Sequence, residues 1–352
     1  MKKILLLCEA LSNRAGIERM TVELANLLCQ SHDILIVTID PFSYESCPYK
    51  IDNKVNVMSL NSQFFKKLYS LNYSNIISLR QILKKEKPSS LIAVATPMVR
   101  IAVPAAVGLH IKTIGWEHFN IFAGSKIGSI YKAISTWIVD HTVVLTEKDS
   151  IDFKKMHSKR IVVIPNFTSI GVNPPSKCNE NVILAVGRHE LQKGFDMLIK
   201  AWHKVNAPGW KLRIIGDGSK KDENMRLALD LGVSETIEFK DATPKIAEEF
   251  QNASCFVLSS RYEGLVLVLI EAKMMGLPCI SFDCPNSPSE IIHNKVDGIL
   301  VPPEDINALA KTITSTLRDM SKLKQMGIMA RKDAMVRYSA EAIKSKWDNL
   351  LQ

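Results

Sequence analysis

The 352-residue sequence lacks the cysteine patterns that hold small or metal-dependent folds together. Its seven cysteines are scattered, no two of them are spaced as CxxC, and most lie within apolar runs. A disulfide framework or a paired-cysteine zinc site is therefore excluded. The cysteines are expected to be small buried side chains in a reducing compartment. A chain of this length can bury a large enough core to fold without cross-links.

Several phosphate- and metal-binding motifs are also missing. The sequence contains neither a Walker A motif nor GxGxxG, and Gly216-Asp217-Gly218 has no third glycine. P-loop and dinucleotide-binding classes are excluded on this ground. No Asp-x-Asp pair occurs, and no His, Cys and Asp set has metal-ligand spacing. We expect no metal site and no cofactor.

No hydrophobic run is both long and pure enough to predict a membrane span. The apolar run near Met1 ends at Glu9 and is shorter than the core of a signal peptide. The longest run, 91–109, contains Arg100 near its middle, where an arginine is costly in lipid. Both runs are predicted to form buried strands, the second followed by a helix. The chain is expected to be cytoplasmic, with peripheral attachment to the inner face of the plasma membrane as a further hypothesis.

The remaining pattern is that of an α/β protein with two domains. Hydrophobic residues make up 46% and charged residues 23%, which is typical of globular chains. Short β-branched or leucine-rich runs alternate with helical stretches, which indicates parallel sheets covered by helices on both faces. The pattern stops at a proline-rich linker, 165–175, and then restarts. We predict two doubly wound, Rossmann-like domains, which comprise 1–168 plus 334–352 and 169–333, and six strands in the first sheet.

Positive charge is concentrated in the first half of the chain. Residues 1–170 contain 21 Lys and Arg against 13 Asp and Glu, whereas residues 171–352 contain 24 against 23. This difference predicts an anionic partner for the first domain. The segment 61–90 interleaves aromatic and basic residues, which predicts contact with an anionic membrane surface or acceptor. The alternatives are nucleic acid or a solvated helix face. The predicted contact residues are Phe64, Phe65, Lys66, Lys67, Lys84 and Lys85.

Two constellations in the second domain point to an anionic ligand. Arg188 and Lys193 flank a predicted strand-to-helix turn, where the helix dipole disfavours cations unless they bind an anion such as a diphosphate. Their alternative is two solvated surface cations. Glu271 lies among apolar residues of a predicted helix, so its carboxylate needs hydroxyl partners such as those of a ribose. Glu263 precedes the same helix and would face whatever lies at its N-terminus.

The first domain offers weaker signals. Gly16 lies between the first strand and the first helix, where a glycine permits close approach of a phosphate. His118 follows a strand at the edge where ligands bind in such sheets. A plain loop and a structural histidine are the alternatives for these two residues.

Taken in order, Gly187-Arg188, Lys193-Gly194-Phe195-Asp196, Gly216-Asp217-Gly218, Glu263-x7-Glu271 and the 278–288 and 298–303 segments resemble the retaining glycosyltransferases of family 4. The resemblance implies the GT-B fold, with two domains facing a cleft and a C-terminal helix, 334–351, that crosses back to the first domain. It implies donor-binding roles for Gly16, Arg188, Lys193, Gly264, Leu265, Val266 and Glu271. It also implies that Glu263 and His118 act at the transferred sugar.

The same resemblance implies a retaining hexosyltransferase that uses a nucleotide sugar and forms an α-glycosidic bond. The expected donor is a UDP-hexose, such as UDP-galactose, UDP-glucose or an N-acetyl form. The expected acceptor is a lipid-linked oligosaccharide or a polysaccharide precursor. A GDP-mannose-dependent enzyme, an enzyme with a soluble acceptor and a sugar-nucleotide epimerase are alternatives. A nucleic-acid-binding function is suggested by charge alone, because no nucleic-acid motif occurs.

Overall fold

The computed structural model describes residues 1–13, 16–62, 73–122, 126–285 and 287–352. The chain divides into two compact units. The first comprises Met1–Asn166 and Lys344–Gln352, and the second comprises Phe167–Ile343. Both units contain a parallel sheet with helices between successive strands, as a doubly wound α/β pattern predicts.

Seven described strands form the sheet of the first unit. They are β1 (Lys3–Cys8), β2 (Asp33–Thr38), β3 (Val55–Ser59), β4 (Ser90–Val94), β5 (Lys112–Trp116), β6 (His141–Val144) and β7 (Ile161–Val163). The helices described between them are α1 (Gly16–Leu28), α2 (Tyr73–Glu86), α3 (Thr96–Ala106), α4 (Lys126–Ile138) and α5 (Glu147–Lys155). The prediction of six strands was wrong because β3 is a sheet-edge strand with only Val55 fully buried, so it lacks the continuous apolar run of a central strand.

The second unit contains six strands in one sheet. They are β8 (Val182–Val186), β9 (Lys211–Ile215), β10 (Ile237–Lys240), β11 (Cys255–Leu258), β12 (Cys279–Phe282) and β13 (Gly298–Val301). Its helices are α6 (Phe195–Trp202), α7 (Lys221–Asp230), α8 (Ile246–Gln251), α9 (Leu267–Met274), α10 (Pro288–Ile291), α11 (Ile306–Leu317) and α12 (Met320–Tyr338).

Strand order places a topological switch point in each sheet. The first sheet has the order β3-β2-β1-β4-β5-β6-β7, and the second has β10-β9-β8-β11-β12-β13. Strand order reverses between β1 and β4 in the first sheet and between β8 and β11 in the second. Ligands of such sheets bind outside the carboxyl ends of the strands at this point, so the loops after β8 and β11 are the place to look for a site.

The C-terminal helix differs from its prediction. The sequence predicts one helix over 334–351, but the chain leaves helical geometry at Ser339, which has φ −67° and ψ 157°. Ser339 then accepts the Ala342 N–H through its hydroxyl at 3.2 Å and so caps a new helix, α13 (Ala340–Leu351). Residues from Lys344 onwards belong to the first unit, so the chain returns to it as expected.

Six of the seven cysteines are buried and Cys47 is half-buried, and none of them forms a disulfide. No helix in the described part of the chain combines the length and the apolar character that a bilayer crossing requires.

Candidate functional site

The loops that follow β8 and β11 lie side by side because these two strands are hydrogen-bonded neighbours in parallel register. The first loop, 187–194, carries Arg188 and Lys193. The second loop, 259–266, carries Glu263 and leads into α9. Residues about 70 positions apart in sequence are thereby brought to one edge of the sheet.

An ion pair joins the two loops. The Lys193 ammonium lies 2.5 Å from Oε1 of Glu263, and the two side chains are 16% and 8% exposed. Ser260 donates to the same carboxylate oxygen at 2.6 Å, and Gln192 donates to Oε2 at 3.3 Å. A carboxylate with this many donors is held in one orientation, and its charge is countered in a largely dehydrated setting.

Glycines allow the close approach of these loops. Gly194 has φ +63°, and a Cβ atom there would lie 2.2 Å from the Ser259 carbonyl oxygen. Ser259 in turn donates its hydroxyl to the Lys193 carbonyl at 2.9 Å. A Cβ atom on Gly187 would press on the Lys193 side chain at 3.2 Å. The absence of a side chain at Gly187 therefore leaves room for the Lys193 side chain, and its absence at Gly194 lets the backbone approach Ser259.

A second ion pair joins the second loop to the first turn of α6, which directly follows the first loop. Arg261 donates two hydrogen bonds to Asp196, both of 2.8 Å, and another to the Leu191 carbonyl oxygen. Although burial opposes the effect, the guanidinium holds the pKa of Asp196 below its ordinary value. Sequence reasoning assigned no role to Arg261, since the two partners are 65 residues apart. Its position in the loop after β11, two residues before Glu263, was the sequence feature that could have identified it as part of the site.

The Gly216-Asp217-Gly218 turn supports the loop that carries Arg188. Gly216 and Gly218 both have φ +149°, and Cβ atoms there would strike the backbone of Gly187 and His189 at 1.9 and 2.6 Å. The His189 N–H also donates to the Asp217 carbonyl at 2.8 Å. These glycines therefore have a structural role, because they let the turn pack against the 187–190 backbone and fix its position.

The Arg188 side chain is exposed, and its guanidinium forms no hydrogen bond or ion pair with any residue the structure describes. The pKa of the neighbouring Glu190 carboxyl is lowered mainly by hydrogen bonds from the backbone N–H and the hydroxyl of Ser219, and to a smaller extent by the charge of Arg188. Arg188 is therefore a cation available to a ligand at the end of β8.

The N-terminus of α9 lacks an internal anion. No side chain caps it, and its first turn contains no acidic residue. Gly264, Leu265 and Val266 lead into the helix, so their N–H groups and the positive end of the helix dipole lie at this point. Glu271 is deeper in the same helix and is 5% exposed, with the Thr168 hydroxyl 3.5 Å from its Oε1.

Helix α9 also carries Lys273, which is completely buried, and whose role the sequence analysis did not foresee. Its ammonium contacts Asp297 at 2.9 Å, Asp333 at 2.6 Å and the Ile291 carbonyl oxygen. With His293, these two aspartates form a group whose ligand atoms lie within 4.8 Å of one another. The sequence predicted no such group, because folding brings Asp333 to residues about 40 positions away. The ammonium occupies the place between the carboxylates that a cation would need.

The two first-unit candidates lie in different connections of the sheet, Gly16 in the first turn of α1 and His118 after β5. Gly16 is exposed at the start of α1, and a Cβ atom there would meet nothing within 4 Å. His118 follows β5, and its buried Nε2 has no hydrogen-bond partner among the described residues. Burial lowers the pKa of His118 to about 3, so the imidazole is neutral at pH 7. Its ring lies 4.4 Å from that of Trp116, measured between centroids.

Glu117 fixes the turn that carries His118, a role that sequence reasoning missed. Its Oε1 accepts the N–H groups of His118 and Phe119, both at 3.0 Å, and its Oε2 accepts the Thr96 hydroxyl. Burial raises the pKa of Glu117. The only sequence signal was an acidic residue directly beside the candidate histidine.

The predicted membrane or acceptor segment is described in part. Phe64, Phe65, Lys66 and Lys67 lie outside the described residues. Lys84 and Lys85 are exposed in the last turn of α2.

Sequence comparison gives two matches that together span nearly the whole chain. The family described as "Glycosyl transferases group 1" matches residues 170–333, and that described as "Glycosyltransferase Family 4" matches residues 14–170. An amylovoran biosynthesis glycosyltransferase of Erwinia amylovora is 29% identical, over 100% of both chains. A Campylobacter jejuni α-1,4-N-acetyl-D-galactosaminyltransferase, named for a glycan acceptor on PP-undecaprenol, is 28% identical over 96% of this chain and 95% of its own.

Among solved structures, Anabaena HepE in complex with UDP resembles the chain with a TM-score of 0.83 at 16% identity. The match covers 99% of each chain.

Proposed function

The chain belongs to the retaining glycosyltransferases of family 4, group 1, and has their GT-B fold. From this premise we propose that it transfers a hexosyl residue from a UDP-sugar to a lipid-linked glycan during synthesis of a bacterial polysaccharide or lipopolysaccharide. The observation that carries the proposal is the Lys193–Glu263 pair, held between two loops at the switch point of the second sheet.

The donor diphosphate is proposed to bind between Arg188, Lys193 and the N-terminus of α9. Arg188 supplies an exposed charge, Lys193 supplies a largely buried one, and the Gly264, Leu265 and Val266 segment supplies N–H groups. In the free protein Glu263 neutralises Lys193. A bound diphosphate would share the ammonium with this carboxylate, which keeps the lysine oriented in both states.

The two carboxylates of the Glu263-x7-Glu271 pattern are proposed to bind different parts of the donor. Glu263 lies on the loop at the helix N-terminus and would hold hydroxyls of the transferred sugar. Glu271 lies two turns deeper, and its buried carboxylate, with the Thr168 hydroxyl nearby, would accept hydrogen bonds from the ribose diol. Gly16 and His118 are proposed to contact the diphosphate and the reacting sugar.

The chemical step is proposed to depend on charge stabilisation. As the glycosidic bond to the diphosphate breaks, negative charge grows on the leaving oxygen, where Arg188, Lys193 and the α9 dipole can stabilise it. His118, with a pKa near 3, cannot donate a proton at neutral pH and is a poor base. We propose that the leaving phosphate oxygen accepts the acceptor hydroxyl proton on the same face, which gives retention.

Support for UDP comes from HepE, a structural neighbour described in complex with that nucleotide. Support for a lipid-linked acceptor comes from the Campylobacter relative, whose name includes PP-undecaprenol. Cytoplasmic residence at the inner face of the membrane belongs to the same proposal. GDP-mannose as donor and a soluble acceptor are the alternatives.

Calorimetric titration of the protein with UDP and with GDP, without added metal, tests the donor assignment. Binding of UDP alone is the expected result. Binding of GDP alone would replace UDP-hexose with a GDP-sugar as donor. Binding of neither would refute the donor site as assigned.

A further inference from the structure

Helix α4 of the first unit exposes large apolar residues to solvent, whereas a surface helix of a globular protein usually turns its apolar face to the core. Ile127, Ile130, Ile134, Trp137 and Ile138 are between 49% and 66% exposed. The opposite face, which packs on the unit, is built from small and polar residues, and Ser129, Ser135 and Thr136 are buried there. We call the five exposed residues the α4 stripe.

The α4 stripe is continuous. At 3.6 residues per turn its members fall within an arc of about 100°, so they form one strip along the helix. The buried hydroxyls opposite need nothing from outside, because Ser135 donates to the Tyr131 carbonyl at 2.9 Å and Thr136 to the Ala133 carbonyl at 2.6 Å. The orientation of α4 is therefore consistent with these hydrogen bonds, and it leaves the stripe exposed.

The chain around the stripe carries an excess of positive charge. Residues 126–160 contain seven Lys and Arg against four Asp and Glu. The Lys159 ammonium lies 3.8 Å from the centroid of the Trp137 ring, and Arg100 lies 5.9 Å from that of Tyr131. Lys155 and Arg160 have acidic neighbours, Asp152 and Asp140. Lys154 and Lys159 form no ion pair with any residue that the structure describes.

We propose that α4 lies in the interface of an anionic lipid bilayer, with its stripe in the acyl region and the surrounding lysines among the headgroups. A large exposed apolar strip marks an interaction surface, and an apolar face rimmed by lysines is typical of a helix that lies in a membrane interface. A second copy of the chain would satisfy the isoleucines but would bring like charges together. Anionic lipid satisfies both.

This inference deepens the proposed function, because a membrane-bound enzyme meets a lipid-linked acceptor where its lipid resides. It also moves the membrane contact from the segment predicted in sequence to a helix about 60 residues further on.

Trp137 supplies the experiment. The other four tryptophans, Trp116, Trp202, Trp210 and Trp347, are at most 9% exposed, so Trp137 is the one that lipid can reach directly. The full chain is mixed with phosphatidylcholine vesicles, with and without phosphatidylglycerol, and fluorescence quenching by lipids brominated on their acyl chains is measured. Quenching in anionic vesicles is expected, together with its loss in Trp137→Phe.

A matched pair of double variants isolates the stripe. Ile130→Gln with Ile134→Gln removes two stripe residues, whereas Met225→Gln with Leu229→Gln removes an exposed apolar pair of the same spacing from α7. The stripe variant is expected to sediment with anionic vesicles at least about tenfold more weakly, and the control to bind like wild type. Because all four positions are exposed, both proteins should fold, which their melting temperatures check.

Three results would overturn the inference: sedimentation unchanged in the stripe variant, lost to the same extent in the control, or reduced only by Lys84→Gln with Lys85→Gln. A dimer in light scattering that the stripe variant converts to monomer would assign the face to a second copy instead. Titration with UDP is measured on the same proteins. If the wild-type protein does not bind anionic vesicles but does bind UDP, this inference alone is overturned, and if it binds the vesicles but not UDP, only the donor site is overturned.

Discussion

At the residue scale, Lys193 and Glu263 restrain each other in the free protein. The pair is largely buried, so removing either member leaves a charge that is poorly solvated. A diphosphate brings its own negative charge to the same ammonium. Replacing Lys193 is therefore expected to weaken UDP binding, whereas replacing Glu263 is expected to slow sugar transfer without weakening UDP binding.

Lys193→Ala is expected to weaken UDP binding by about 1.5–3 kcal/mol, roughly ten- to a hundredfold, because a charge-assisted bond to the diphosphate is lost. The control is Lys311→Ala, an exposed lysine on α11. Calorimetry on both proteins checks the result. Equal UDP affinity in wild type and Lys193→Ala would remove Lys193 from the diphosphate site.

Glu263→Gln keeps the size of the side chain but removes the charge that faces Lys193. UDP affinity is expected to be kept or raised, because the Lys193 ammonium no longer pairs with a carboxylate and can bind the diphosphate instead. Sugar transfer is expected to fall by about a hundredfold or more, as for loss of a group that acts in the transition state. Rates under saturating donor give the test, with Glu235→Gln as the surface control. A variant that transfers sugar at the normal rate contradicts the sugar-holding role.

The residue types next to one another in sequence allowed part of the site to be predicted. Glu271 stood out because a carboxylate among apolar residues needs a partner, and the structure does bury it. Lys273, two residues later, is buried more deeply but gave no signal. Its partners Asp297 and Asp333 are distant in sequence, and only the fold identifies them.

At the element scale, the loop after β8 depends on the turn after β9. The Gly216-Asp217-Gly218 turn packs against Gly187 and His189 so closely that no Cβ atom fits. The sequence suggested that these glycines did not belong to a dinucleotide motif, but it could not reveal what they contact. Their closeness follows from β8 and β9 being neighbours in parallel register.

Gly218→Ala tests this support. The new Cβ atom would lie 2.6 Å from the His189 nitrogen, so the 187–190 loop must move and carry Arg188 with it. UDP affinity is expected to fall about tenfold or more, as for partial loss of a charge-assisted contact. Gly209→Ala is the control, because Gly209 also has a positive φ but nothing within 4 Å of its Cβ position.

The control shares the backbone strain, roughly 1–2 kcal/mol for an L-residue, but not the clash. Its expected result is a lower melting temperature with unchanged UDP affinity. Equal UDP affinity in both glycine variants would mean that the turn does not position Arg188.

Strand bounds were predictable where a strand is a short run rich in apolar residues. The sequence predicted the inner strands β8, β9 and β11 with the bounds that the structure has, and it did so for the edge strand β13 as well. The edge strand β3 and the break at Ser339 were missed. The first has alternating exposure, and the second depends on a hydroxyl cap within an otherwise helical pattern.

At the scale of the whole molecule, the last nine residues belong to the unit formed by the beginning of the chain. Trp347 is 1% exposed and packs edge-on against Trp116, with ring centroids 5.4 Å apart. Asp348 contacts His32 at 2.9 Å, and Lys112 donates to the Leu350 carbonyl at 2.6 Å. The sequence resemblance implied that the C-terminal helix returns, but it could not identify these contacts.

Trp347→Ala is therefore expected to destabilise the first unit by about 3–5 kcal/mol, the usual cost of deleting a buried aromatic side chain. Scanning calorimetry should show two transitions, of which the one that UDP raises is assigned to the second unit, because bound ligand stabilises the fold that holds it. The variant should lower the other transition and leave the UDP-sensitive one in place. Lys346→Ala, on the exposed side of the same helix, should change neither. If Trp347→Ala instead lowers the temperature of the UDP-sensitive transition, the C-terminal segment stabilises the second unit. Residues from 344 onwards would then unfold with the second unit and not with the first.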